Sequence, residues 1–200
     1  MTLSFPRLPA PVALALVSAM AACPLQAADR DAAAFPGDSL YQLDARAIDA
    51  HGRPLQWSDL AGRPQLVSMF YANCHLMCPL IIENAKSLQK QLTSAERKRL
   101  GVVMVSLDPA RDTPSAMQDV AQRHRVPDGW RFLTPAADDV RAIASVLDVR
   151  YRFRDDGSIN HTSVLVLLDA DGRVRARSEV TGAAADPQFL TQVKALLAGP

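Results

Sequence analysis

The sequence has almost no excess of charge of either sign, since 22 lysine and arginine residues face 21 aspartate and glutamate residues. A near-neutral chain has no electrostatic reason to bind nucleic acid or an anionic membrane surface, so we expect no nucleic-acid partner. Cysteine is scarce, with three residues, which excludes a small disulfide-rich scaffold. A hydrophobic content of 48% excludes a disordered chain.

A long membrane-spanning stretch is also missing near the start of the chain. The mostly apolar run over residues 11–22 is shorter than the roughly 20 residues that a spanning helix needs. It follows a short segment with one charge, Arg7, and it precedes small residues, as in a secretory signal. We therefore predict a signal peptide over residues 1–27 and an exported, periplasmic protein.

Cys23 lies inside this predicted signal. The run Met-Ala-Ala-Cys23 is an alternative lipoprotein signal, which would end before Cys23 and leave that residue acylated. We expect membrane contact only through such a lipid anchor or through a partner. Residues 28–34 then form a linker, and residues 35–200 are long enough for one folded domain.

The domain alternates strand and helix signals before it ends in a hairpin and a last helix. This order predicts an α/β sandwich with a mixed sheet flanked by helices, preceded by an N-terminal β-hairpin over residues 41–55. A dithiol between the first core strand and its helix makes the order look like a thioredoxin-like fold. The predicted strands cover residues 65–71, 101–107, 162–168 and 173–178, and the predicted helices begin near residues 79, 114, 137 and 187.

Cys74 and Cys78 are four residues apart at the junction between a strand and a helix, whose start is marked by Pro79. Two sulfurs at this spacing can form a disulfide or hold one ion. The positive end of the helix stabilises thiolates, which bind metals and attack disulfides. A purely structural disulfide is an alternative, but it closes a very short loop and adds little entropic stabilisation.

His161 is the candidate third group of the same site. It is predicted to begin a strand, at the sheet edge that also carries the dithiol loop. Taken alone, it is an ordinary loop histidine. Together with the two cysteines, it offers a set of soft ligands that suits Cu(I) and can also hold Cu(II).

Three motifs in this order resemble the Sco/SenC copper chaperones over residues 35–197. They are Cys74-x-x-x-Cys78-Pro79, then Asp108-Pro-Ala-Arg-Asp-Thr-Pro114, then His161 ahead of Asp169-x-Asp-Gly172. The resemblance implies a thioredoxin-like fold and a copper ligand set of Cys74, Cys78 and His161. It also implies a role in assembly of the copper centre of cytochrome c oxidase, with subunit II as the receiving partner.

The sequence departs from the common family pattern between the cysteines, where His75 and Leu76 replace the usual Pro and Asp. The recipient is therefore less firmly implied than the metal. His75 and Met77 could assist metal transfer, but we interpret them as loop residues, because two thiolates and His161 suffice. Four further residues are interpreted as structural: His51 in a turn, His124 at a helix end, and Met69 and Met104 in core strands.

The acidic and basic residues of the second motif have two interpretations. Asp108, Arg111 and Asp112 could shape the rim of the site or a partner surface, or they could serve loop architecture and helix capping.

A thiol–disulfide oxidoreductase that reduces the cysteines of a copper protein is the alternative function, with Cys74 and Cys78 as its redox pair. The three-residue spacer argues against it, because thioredoxin-type enzymes normally carry two residues between their cysteines. A peroxidase is disfavoured as well, because nothing near Cys74 resembles a peroxide-activating set.

Overall fold

The computed structural model describes residues 1–2 and 35–199. The predicted signal peptide, the linker and Cys23 therefore lie outside the described residues, apart from the first two positions. Within the described part, no helix has both the length and the apolar character that a membrane crossing requires.

The described chain contains the strands β1 Arg46–Asp49, β2 Pro54–Gln56, β3 Gln65–Phe70, β4 Gly101–Ser106, β5 Trp130–Pro135, β6 Tyr151–Phe153, β7 Ile159–His161, β8 Val164–Leu168 and β9 Val174–Glu179. Seven of them form one mixed sheet, in the spatial order β2-β1-β5-β4-β3-β8-β9. The three central strands, β3, β4 and β5, are parallel, while β1 and β8 pair antiparallel on either side of them. Two short strands, β6 and β7, form a separate antiparallel pair.

Five α-helices complete this part of the chain. They are α1 Met77–Lys90, α2 Ser94–Arg99, α3 Pro114–Arg123, α4 Asp139–Val146 and α5 Pro187–Ala198. The predicted mixed sheet flanked by helices is confirmed. The predicted N-terminal hairpin is present as β1 and β2, with Gly52 at a φ of 75° in its turn.

The core forms where β3 and β4 lie side by side, because every residue of both strands is buried. Met69 and Met104 belong to this core, as the sequence predicts. Helix α1 buries one face against it, and full burial of an aliphatic side chain contributes about 1.5–3 kcal/mol. The buried aliphatic residues of this helix are Ile81, Ile82, Ala85 and Leu88.

The start of α3 follows the predicted capping pattern. The Thr113 hydroxyl accepts a hydrogen bond from the Ala116 N–H at 3.2 Å, and Pro114 occupies the first helical turn. The helix ends at Arg123 with His124 as its C-cap, so His124 has the predicted place. Helix α1 begins at Met77, two residues before the predicted start.

The structure corrects the predicted setting of His161. This residue ends the short strand β7 rather than beginning a strand of the main sheet, which resumes only at Val164 in β8. The segment between them bonds elsewhere: the Thr162 N–H donates to the Arg150 carbonyl at 2.9 Å, and the Ser163 carbonyl accepts from Val180 at 2.8 Å. These bonds tie the segment after His161 to Arg150 on one side and to the residue after β9 on the other.

Candidate metal centre

The first two groups of the site lie where β3 turns into α1. The chain turns after Tyr71, whose carbonyl accepts the Cys74 N–H at 3.2 Å. Helix α1 begins three residues later, which places Cys78 in its first turn. The Cys78 N–H donates to Cys74 Sγ at 3.2 Å, so this sulfur occupies the anion-binding position of the helix N-terminus.

The third group approaches from the separate β6–β7 hairpin. Nε2 of His161 lies 3.7 Å from Cys78 Sγ. Nδ1 of the same ring lies 3.1 Å from the Thr162 carbonyl, which can only accept, so Nδ1 carries the proton. The lone pair of Nε2 therefore faces the sulfurs, as in a metal-ligating histidine whose other nitrogen donates to the protein. Tyr71 packs edge-on against the ring at a centroid distance of 6.0 Å.

The ligand atoms of Cys74, Cys78 and His161 all lie within 4.8 Å of one another. Three ligands at about 2.0–2.3 Å from one ion stand about 3.5–4 Å apart when they surround it in a trigonal arrangement. Closure onto a single ion therefore needs movements of about an ångström or less. Two thiolates and one imidazole form a soft donor set, which favours Cu(I) among the first-row ions.

The two thiols differ in exposure and in acidity. Cys74 is half-buried, and its pKa is lowered to about 3, because the Cys78 thiol and the backbone N–H groups near it donate hydrogen bonds to its sulfur and outweigh partial burial. Cys78 is 3% exposed, and burial raises the pKa of its thiol, an effect that its bond to Cys74 reinforces. Cys74 is therefore the thiolate of the metal-free pair, and a metal must displace the proton of Cys78.

Asp112 accepts hydrogen bonds that hold the start of the cysteine loop in place. Its buried carboxylate accepts the Ser106 hydroxyl at 2.6 Å and the Ala72 N–H at 3.1 Å. Its own carbonyl accepts the Thr134 hydroxyl at 2.7 Å. Burial raises the pKa of this carboxyl, although the two hydrogen bonds oppose the rise. The carboxylate thus joins β4 to the segment that leads into Cys74, and the Asp112 carbonyl adds a link to β5.

Arg111 supports the opposite half of the site. Its guanidinium pairs with the carboxylate of Asp108, which is itself buried, and donates to the Gly157 carbonyl at 2.8 Å. Gly157 lies in the turn between β6 and β7, so this contact fastens the hairpin that carries His161. Of the two interpretations of the second motif, these contacts favour loop architecture, since its charged residues hold both halves of the site in place.

The remaining candidates lie apart from the three ligand groups. His75 is exposed, and Leu76 is 74% exposed, although both stand between the two cysteines. Met77 is half-buried at the start of α1. His51 lies in the turn between β1 and β2. The part of the chain that the structure describes thus brings together only the two cysteines and His161 as a candidate metal-binding group.

Sequence reasoning missed two supports of this site. One is the β6–β7 hairpin, whose three-residue strands are too short to show a clear periodicity. The other is the contact from Arg111 to this hairpin, which joins residues far apart in the chain. The sequence does carry one signal for the hairpin: Gly157 follows two aspartates, and such a sequence is typical of a tight turn.

Comparison with known proteins gives one family match. The family described as SCO1/SenC matches residues 37–197, which include all three ligand groups. A Stutzerimonas stutzeri protein, named as a candidate copper-binding protein, is 26% identical over 162 residues, covering 76% of this chain and 78% of the relative. The SCO1 protein homolog of Bacillus subtilis is 26% identical over 127 residues, covering 62% of this chain and 65% of the relative.

Solved structures share the fold. A SCO1/SenC family lipoprotein from Bacillus anthracis superposes with a TM-score of 0.67 at 22% identity, covering 77% of this chain and 94% of that one. ScoI of Bradyrhizobium japonicum, solved with copper bound, gives a TM-score of 0.62 at 19% identity, covering 76% and 96%. The predicted thioredoxin-like arrangement is therefore confirmed.

Proposed function

The chain belongs to the SCO1/SenC family, and from this premise we propose that it is a copper chaperone that binds one copper ion through Cys74, Cys78 and His161. The observation that carries the proposal is the convergence of these three groups within 4.8 Å, although His161 is 83 positions from Cys78 in the chain. Two family-typical cysteines alone would suit a disulfide equally well. The imidazole, with Nε2 facing the sulfurs, distinguishes a metal site from a simple redox pair.

The geometry supports capture followed by ligand exchange. Cys74, half-exposed and already a thiolate, is the first ligand that an incoming ion meets. Cys78 then loses its proton as it coordinates, and His161 completes a three-coordinate site. A receiving thiolate can approach the ion from the exposed side, because Cys74 and His161 are only partly covered. Exchange with an external disulfide, which takes up the two electrons and leaves as two thiols, would join Cys74 and Cys78 in a disulfide, remove two ligands and release the ion.

Titration of the reduced protein with Cu(I), in competition with a coloured chelator, tests this proposal. We expect one copper per chain in the wild type and loss of stoichiometric binding in Cys74→Ser and Cys78→Ser. His161→Ala should weaken binding by about tenfold or more, because loss of even a residue that only supports a metal ligand costs roughly 10–100-fold in affinity. His51→Ala is the matched control, because His51 is exposed in a turn. Wild-type affinity in His161→Ala would remove the histidine from the ligand set.

We place this activity outside the cytoplasm, with the copper centre of cytochrome c oxidase subunit II as its destination. The signal peptide predicted over residues 1–27 supports export, with Cys23 as the alternative lipidation site. Mass spectrometry of the mature N-terminus distinguishes cleavage after residue 27 from acylation at Cys23. Transfer of Cu(I) to the purified soluble domain of subunit II tests the destination, and failure to load that domain would point to another recipient.

The second candidate function is thiol–disulfide exchange, and the contrast between the two thiols favours it. The half-exposed Cys74 thiolate would attack a substrate disulfide to form a mixed disulfide and release one substrate thiol, and Cys78 would then attack the Cys74 sulfur and release the second. The two electrons of the dithiol pass to the substrate, which leaves as two thiols, while Cys74 and Cys78 become a disulfide. This reaction does not need His161. Reduction of insulin at a rate unaffected by His161→Ala would support it over copper transfer.

A further inference from the structure

The imidazole of His161 reaches the two sulfurs from a small hairpin outside the main sheet. Each strand of this hairpin, β6 and β7, has three residues, and an isolated two-stranded pair is at best marginally stable in water. The Arg111 bond to Gly157 fastens the turn, at the end away from His161. The bond from Nδ1 runs to the carbonyl of Thr162, the next residue in the chain, so it moves with the hairpin. Neither bond sets the distance from Nε2 to the sulfurs.

Tyr71 contacts the imidazole from the rigid side of the site. It directly follows β3, whose residues are all buried, and the Phe70 carbonyl before it accepts the Leu107 N–H at 2.7 Å. Tyr71 is itself buried, with 6% of its surface exposed. Its ring and the imidazole of His161 are 6.0 Å apart between centroids and inclined at 79°. An edge-to-face contact at this separation is favourable and depends on orientation, so it restrains the imidazole.

The same residue also contacts the cysteine loop. The Tyr71 carbonyl accepts the Cys74 N–H at 3.2 Å, in the turn that leads into α1. The backbone of one residue therefore bonds to the loop that carries the sulfurs, while its side chain packs against the imidazole, whose Nε2 lies 3.7 Å from Cys78 Sγ. Because a close-packed interior leaves a buried ring little room to move, Tyr71 gives the imidazole a fixed position relative to the sulfurs.

We propose that Tyr71 is a positioning residue of the metal centre, whose aromatic ring holds the His161 imidazole with Nε2 facing the sulfurs of Cys74 and Cys78. The inference deepens the proposed function and rests on it, because it assumes that copper binds to these three groups. A ligand that is already in place loses less conformational freedom when the ion binds, and groups that orient a metal-ligating histidine raise metal affinity. The ring carries this role, so phenylalanine should replace Tyr71 and an aliphatic residue should not.

Cu(I) titration in competition with a coloured chelator measures the effect. Tyr71→Leu should weaken copper binding by about tenfold, and by no more than His161→Ala does, while Tyr71→Phe should keep the wild-type affinity. Tyr41→Leu is the matched control and should also keep it. Tyr41 is similarly buried, but it lies beside Gly172 and donates to the Leu60 carbonyl, at the opposite end of β3 from the cysteine loop. Circular dichroism checks that each variant is folded.

A double-mutant cycle separates positioning of the imidazole from a general effect on the cysteine loop. If Tyr71 acts through His161, Tyr71→Leu should cause no further loss of copper affinity in a protein that already carries His161→Ala. Equal losses with and without the imidazole would assign the effect to the loop and overturn the proposal. Wild-type affinity in Tyr71→Leu, or a loss in Tyr71→Phe as large as in Tyr71→Leu, would overturn it as well.

Nuclear magnetic resonance of the reduced, metal-free protein tests the contact without copper. The chain has four histidines, so the ring protons of His161 are identified by their absence in His161→Ala. We expect nuclear Overhauser contacts between these protons and the Tyr71 ring, and chemical shifts of His161 that change in Tyr71→Leu much more than in Tyr71→Phe. Absence of the contact in the wild type would overturn the proposal even where a variant fails to fold. Failure of the wild type to bind Cu(I) would refute the proposed function, while these resonances still decide whether Tyr71 holds the imidazole.

Discussion

Replacing Asp112 by alanine should weaken the fold and loosen the cysteine loop at once. The substitution leaves the Ser106 hydroxyl and the Ala72 N–H without their acceptor. Each buried group deprived of its partner costs about 1–3 kcal/mol, which gives about 2–6 kcal/mol for the two. Removal of a carboxylate whose ionisation is disfavoured by burial offsets part of this cost. We expect Asp112→Ala to lower the free energy of unfolding by about 2–4 kcal/mol.

Urea unfolding of the reduced protein, followed by circular dichroism, measures this change. Asp112→Asn should cost less than Asp112→Ala, because its amide oxygen can still accept the Ala72 N–H. Asp128→Ala is the control, since Asp128 is exposed and forms no side-chain hydrogen bond in the described structure. A free energy of unfolding for Asp112→Ala within about 0.5 kcal/mol of the wild type, as at an ordinary surface position, would refute the reasoning.

The remaining predictions concern acidity and backbone conformation. Burial raises the pKa of Asp112 in the folded protein, so its contribution to the free energy of unfolding is fully present below the unfolded pKa of about 3.9 and declines as the pH rises through the folded pKa. The stability advantage of the wild type over Asp112→Asn should therefore be larger at about pH 4 than at neutral pH. A difference that stays constant with pH would contradict this. Iodoacetamide should alkylate Cys74 well before Cys78 at about pH 6, because the pKa of Cys74 is lowered to about 3 while that of Cys78 is raised. Peptide mass spectrometry measures the two alkylation rates, and equal rates would contradict the prediction. Gly172→Ala should lower the free energy of unfolding by about 2–4 kcal/mol, because the φ of Gly172 is 81° and a Cβ would lie 2.5 Å from the Tyr41 ring. Urea unfolding measures this change, and a loss below about 1 kcal/mol would contradict the prediction.

The local half of the metal site could be predicted from sequence because its signals are close together. Cys74 and Cys78 are four residues apart, and Pro79 marks the start of the helix that follows them. A reader of the sequence can therefore place both sulfurs at one helix N-terminus. The structure agrees, with Cys78 in the first turn of α1 and its N–H directed at the other sulfur.

The histidine half of the site depends on contacts that sequence patterns do not record. Its hairpin consists of two three-residue strands, and the Arg111 contact with the Gly157 carbonyl helps to fasten it. Neither strand is long enough to show an alternation that could be distinguished from a loop. The sequence could assign His161 to the same site as the two cysteines only by combining the ligand preference of copper with the resemblance to a family.

Strand β5 was missed for a different reason. It lies inside the sheet between β1 and β4, yet its sequence carries Arg131 and ends at Pro135, which disfavour a central strand. The structure accommodates both, because Arg131 is exposed near the start of the strand and Pro135 pairs with the short strand β1 at the end. Tertiary position overrides local propensity here.

The distance along the chain between Cys78 and His161 also makes the metal site a reversible cross-link. An ion held by both residues closes a loop of 83 positions that includes α2, α3, α4, β4 and β5. Closing so long a loop restricts the unfolded chain far more than a link between Cys74 and Cys78 would. Loading with cargo would therefore raise the free energy of unfolding of the domain, and release would lower it again.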